Sequence, residues 1–275
     1  MIQIPEFNDN ETKFAWLRAN KTFLISAKKS AVKYADAVFT QGIEVSESGV
    51  IIKAEARPEL LQLDSFPIKA VINTTNIFDS HQDVHILGLW KKTLTEKKPL
   101  YLLQEHQMKF DHIISDRVKA FTKQLTFTEL GYNFSGVTEA LIFDAQIEKD
   151  RNEYMAGQYA KGYVNNHSVG MQYVKIEMAI NSESKYDQEE RAVWDKYIDQ
   201  IANKSEAEIN GYFWAVTEAK LIEGSAVPIG SNFVTPTIQI GKQTALENSR
   251  ESTEGEPHTS KIDYSKLINL KFSKQ

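Results

Sequence analysis

From Gly49 to about Ile240 the chain is written in short apolar runs rich in β-branched residues and separated by polar turns. That texture calls for a sheet-based core rather than a bundle. Val50–Ala54, Ile68–Asn73, Leu100–Leu103, Arg117–Phe127, Gly131–Thr138, Ser168–Ala179 and Tyr212–Glu223 read as strands, with Pro58 and Pro67 punctuating between the first two. Helical patterns interleave with them. Leu89–Glu96 is one. Asp144–Lys161 is a second, with Asp144 as its N-cap and Gly162 where a helix end takes a left-handed residue. Glu189–Asn203 is a third, carrying Val193, Tyr197 and Ile201 at helical spacing. Ahead of the sheet-forming region, Glu11–Asn20, capped by Asp9 or Asn10, and Lys21–Asp36 also read as helices. Lys28, Lys29 and Lys33 are taken as a solvated helix side. The expectation is an α+β fold: a mainly antiparallel β-sheet or barrel core with surrounding helices. It divides into an N-terminal helical segment over 1–45, a central domain over 46–240 with a helical insertion at about 181–210, and a polar tail over 241–275. The tail holds too few apolar residues to offset its ordering entropy and is expected to be flexible.

A chain of 275 residues supports a sizeable core. Its net charge of −5 gives no overall electrostatic footprint for nucleic acid or anionic lipid, so neither is expected as a partner. The absence of cysteine excludes disulfides, a cysteine nucleophile and cysteine-ligated zinc, and fits an intracellular protein. No run of eighteen or more apolar residues is present, so no membrane-spanning helix is expected. The first residues, Met1–Phe7, lack the pattern of a signal peptide.

Two constellations carry chemistry. The first joins Ser168, just inside a strand run, to His106, at the end of Leu102-Leu103-Gln104-Glu105-His106. A serine hydroxyl is a poor nucleophile and needs a base within hydrogen-bond reach. A neutral imidazole suits that task, and a third group must hold its tautomer. Gly170 would let a substrate backbone come close. His81, His85, His112 and His167 are the other histidines of this region, and each competes for the role of base. Strand alternation points His167 away from the face of Ser168. The second constellation is Asp79-x-His81-x-Asp83-x-His85. These are good metal ligands that would share one face of a regular strand, and His106 or His112 would complete the shell. A polar turn before a helix explains the same residues. The chain has no His-Glu-x-x-His, no phosphate-binding glycine loop, no Gly-x-Gly-x-x-Gly and no Gly-x-Ser-x-Gly elbow.

The order of these segments resembles the prohead (capsid maturation) proteases of tailed bacteriophages, which are distantly related to the herpesvirus assembly proteases. The likeness covers about residues 65–235. It runs through the turn Asp79-Ser80-His81-Gln82-Asp83-Val84-His85-Ile86-Leu87-Gly88-Leu89-Trp90, the apolar strand ending in His106, the glycine at Gly162, and Ser168-Val169-Gly170. It ends at the late strand Thr217-Glu218-Ala219-Lys220-Leu221-Ile222-Glu223-Gly224-Ser225-Ala226-Val227. Ser80 and Gln82 stand where the family's turn has Arg and Gly. The helical insertion and the N-terminal segment have no counterpart in the pattern.

The resemblance implies a herpesvirus-protease-like fold and a serine endopeptidase that needs no cofactor and no metal. Such an enzyme cleaves the scaffold protein and the major capsid protein precursor inside assembling proheads in the host cytoplasm. It makes Ser168 the nucleophile, His106 the base and Glu223 the third member, with Glu218 and His167 as runners-up. It also implies self-association as a further contact, and a self-cleavage site or a docking segment after about Ile240. Two other readings stand beside it: a metal-dependent hydrolase using Asp79, His81, Asp83 and His85, and a non-enzymatic capsid-assembly or scaffold protein.

Overall fold

The structure is a computed structural model, and it describes residues 4–33 and 54–241. The tail from residue 242, part of the N-terminal segment and most of the strand expected at Val50–Ala54 lie outside the described residues. Helices comprise α1 (Asn10–Ser30), α2 (Glu153–Ala160), α3 (Gln188–Tyr197) and α4 (Lys204–Asn210). The first strands are β1 (Val32–Lys33), β2 (Ser65–Thr74), β3 (Asp83–His85), β4 (Leu102–Gln104) and β5 (Ile113–Ser115). They are followed by β6 (Val118–Thr126), β7 (Val137–Glu148), β8 (His167–Ile180), β9 (Tyr212–Ala226) and β10 (Thr237–Ile240). The class is α+β, as expected. Among the described residues the strands form two open sheets rather than a barrel. One runs β1-β8-β9-β4-β5, with β3 also on β9, and the other runs β10-β2-β7-β6. All pairings are antiparallel except β3 and β4, which both run parallel to β9. Among the described residues no helix is long and apolar enough to cross a membrane.

Strand β9 is the spine of the first sheet. One edge is paired along its length with β8. The other edge takes β3 beside Trp214–Val216 and then β4 beside Gly224–Ala226. The two sheets meet closely at Gly224. A Cβ there would sit 2.6 Å from Cε2 of Phe143 and 3.0 Å from Cγ2 of Ile72, so the residue must be glycine for the layers to pack.

Several expectations are corrected, and the strand expected over Gly131–Thr138 begins only at Val137. The helix expected over Asp144–Lys161 is a strand for its first part: β7 continues to Glu148, and α2 spans only Glu153–Ala160. Phe143, Ala145 and Ile147 alternate with Asp144, Gln146 and Glu148, and that two-residue period buries one face against the other sheet. The N-cap is Asn152, whose Oδ1 accepts from the N–H of Met155 at 3.0 Å. Gly162 does close the helix in the left-handed region, at φ 69°. Leu89–Glu96 holds turns and a single 3-10 turn at Thr93–Thr95 rather than a helix, because Leu89 and Trp90 are drawn into the core. The two N-terminal helices are one, α1, which buries Phe14, Leu17 and Leu24. Its Lys28 is not a solvated cation: it forms an ion pair with the buried Asp83. Arg18 and Lys21 pair with Asp187 and Glu190 at the start of α3, tying α1 to the insertion.

Candidate active site

The site is assembled by strand register. Ser168 on β8 lies opposite Ser225 on β9, and Gly170 lies opposite Glu223. Side chains at paired positions share a face, and so do residues two apart, so Ser168, Ser225 and Glu223 sit together on one side of the sheet. On the far edge of β9, β4 places Leu103 beside Ser225 and Gln104 beside Ala226. The chain then turns back through Glu105 and His106, which adopt φ of 51° and 57°. Two successive L-residues in the left-handed region are unusual, and such backbone is found where surrounding contacts hold it. Here the Glu105 N–H donates to Ala226 O at 3.0 Å, the Gln107 N–H to Gln104 O at 3.0 Å, and the His106 N–H to Ser225 Oγ at 3.1 Å.

This turn carries the His106 ring to Glu223, with Nδ1 2.6 Å from Oε1. A carboxylate only accepts, so in the neutral ring Nδ1 carries the hydrogen and Nε2 is the basic nitrogen. Glu223 is fully buried, and its other oxygen, Oε2, accepts from Ser225 Oγ at 2.6 Å. Ser168 is buried too, and its Oγ has no hydrogen-bond partner among the described residues. An orphaned buried hydroxyl is uncommon and fits a group kept for chemistry. Gly170 serves a different purpose from the one expected. A Cβ there would overlap Glu223, lying 2.8 Å from its Cδ, so the glycine clears space for the acid rather than for a substrate backbone.

The competing residues go elsewhere. Glu218 pairs with Lys92 and Lys175, each at 3.0 Å, and these cations hold its carboxyl below the usual range. His167 is buried with Nδ1 3.0 Å from Thr235 O and Nε2 2.9 Å from the Tyr159 hydroxyl. A carbonyl only accepts, so Nδ1 bears a hydrogen; burial pushes the ring's pKa down to about 4, which favours its neutral form near neutral pH. His112 pairs with its neighbour Asp111 on an exposed turn.

The Asp79–His85 stretch is not a regular strand. Its first half is a turn closed by Asp79 Oδ1, which accepts from the N–H groups of His81 and Asp83 at 2.8 and 2.9 Å, with Gln82 at φ 58°. Burial, and next the neighbouring charge of Asp83, push the Asp79 carboxyl up to about 7. Asp83 binds Lys28 and accepts from the Tyr173 hydroxyl at 2.7 Å. His85 touches the same hydroxyl through Nε2 at 3.3 Å and Asn73 Nδ2 through Nδ1 at 2.9 Å. The Trp90 indole N–H donates to Asn73 Oδ1, which fixes the amide so that Nδ2 donates to His85. Among the described residues no three His, Asp or Glu side chains are grouped to hold a metal ion. Asn73, Asp79, His81, His85 and Tyr173 line a narrow cleft that Ser168 also borders. No family model, curated protein or solved structure matches this chain.

Proposed function

We propose that this chain is a serine endopeptidase of the herpesvirus-assembly-protease type that processes scaffold and major capsid precursor during phage prohead maturation. The reading rests on one observation: the 2.6 Å contact between His106 Nδ1 and Glu223 Oε1, on the strand paired with the one that carries Ser168. In this mechanism Ser168 Oγ attacks the scissile carbonyl carbon while Nε2 of His106 takes its proton. Glu223 holds the tautomer and stabilises the imidazolium. The tetrahedral intermediate collapses as the imidazolium returns the proton to the leaving amine. Water, deprotonated by the same ring, then releases the acyl group from Ser168. The choice of phage capsid substrates comes from the order of sequence motifs.

Incubation of the full-length protein with capsid precursor and scaffold tests the reading. Wild-type protein should cleave them, and Ser168→Ala and His106→Ala should each lower the rate by several orders of magnitude while keeping the fold. Activity surviving in Ser168→Ala ends the serine-peptidase reading. If the region after Ile240 contains a self-cleavage site, wild-type chain should lose a C-terminal piece during expression and Ser168→Ala should stay full length. Equal masses for the two would count against self-cleavage.

A further inference from the structure

One hydroxyl binds two members of the proposed machinery, His106 and Glu223, without reacting. Ser225 is fully buried, pairs across the strands with Ser168, and lies beside Leu103 on β4. A backbone N–H can only donate, so the His106 N–H must donate to Ser225 Oγ, and the Ser225 proton is directed to Glu223 Oε2. The hydroxyl orientation is therefore fully determined. Both oxygens of Glu223 are engaged, Oε1 by the ring and Oε2 by Ser225, and this sets the rotation of the carboxylate about its last bond. The neighbouring N–H bonds that hold the left-handed turn go to carbonyls; the one at His106 itself goes to a side chain.

We propose that Ser225 is a positioning residue: it fixes the backbone of His106 and the carboxylate of Glu223 together, and so sets the imidazole for proton transfer from Ser168. The inference rests on the peptidase reading for its purpose, but the coupling of Ser225 to His106 is measurable without it. Removing the hydroxyl leaves the catalytic groups in place but frees the turn and one carboxylate oxygen. Misplacement of a catalytic group on the ångström scale can cost about 10²-fold in rate.

The test uses full-length protein and two readouts. The first is the rate of labelling of Ser168 by a fluorophosphonate probe. There Oγ bonds to phosphorus, the P–F bond breaks, fluoride leaves and His106 takes the hydroxyl proton. The second is the downfield proton resonance of His106 Nδ1–H, assigned by its loss in His106→Ala. Ser225→Ala should slow labelling by about 10-fold or more and shift or broaden the resonance. Ser225→Cys, nearly isosteric and with a weaker donor and acceptor, should move both the same way and covers the case in which Ser225→Ala fails to fold. In a Glu223→Gln background the loss on removing Ser225 should be several-fold smaller, because the two residues act through one ring. A folded Ser225 variant with wild-type labelling and an unmoved resonance overturns the proposal. If the wild type itself is not labelled, the peptidase reading fails. A resonance that still moves in Ser225→Ala then upholds the coupling, and one that stays fixed refutes it.

Discussion

At the scale of single residues, the site depends on one absent side chain. Because Glu223 fills the space over Gly170, Gly170→Ala should push the carboxylate off His106 and cut the labelling or cleavage rate by about 10²-fold, with the fold retained. A rate within a few-fold of wild type would show that Glu223 can shift at no cost. Ser168 and His106 are legible in the sequence only through the order of motifs around them, since a serine on a strand and a histidine after an apolar run are common. Glu223 is legible in the same way, but its choice over Glu218 and His167 is not. That choice depends on β8–β9 register and on where lysines and carbonyls fall, neither of which local sequence carries. Ser225 was in view within the same late-strand motif. Nothing in one strand reveals that its hydroxyl joins Glu223 to the turn after β4.

At the scale of elements, α2 shows how a strong local signal misleads. Asp144 followed by apolar residues reads as a helix start, yet the strict alternation through Glu148 is a strand period. The true cap, Asn152, does more than close α2, because its Nδ2 also donates to Asp111 O at 3.2 Å, on the turn leading into β5. Asn152→Ala should therefore cost about 1–2 kcal/mol. Thermal unfolding should read this as a melting-point drop of about 2–8 °C. A Tm unchanged from wild type would mean that water replaces both bonds freely. The single helix α1 and the short turns after Leu89 also escaped sequence reading. In both places tertiary partners set the outcome: the carboxylates of Asp83, Asp187 and Glu190 in one, the core in the other.

At the scale of the whole molecule, two buried groups pull stability in opposite directions with pH. His167, depressed to about 4 from 6.5, favours the fold fully above 6.5, and that contribution is lost as pH falls toward 4. Asp79, raised to about 7 from 3.8, favours the fold fully below 3.8, and its contribution is lost as pH rises through 7. Between about pH 4 and 6.5 the folded chain holds a proton on Asp79 while the unfolded chain holds one on His167, so the two effects largely cancel. Asp79→Asn removes one side of that balance and keeps the acceptor for both backbone N–H groups. Its stability relative to wild type, measured by urea unfolding, should rise as pH goes from 4 to 8, by an amount on the order of a few kcal/mol. A difference that stays constant with pH would show that Asp79 ionises normally. The fold class was legible because alternation and turn residues recur through the chain, and β9 was legible as a strand; its place as the spine was not, because its two parallel partners come from distant segments. That arrangement also sets an order in time. The acid and its serine brace lie on β9, the last strand of its sheet to be synthesised, and β9 is what joins β8 to β4. A growing chain has Ser168 and His106 but no β9 to bring β8 and β4 together, so the proposed site can assemble only after residue 226 has been made.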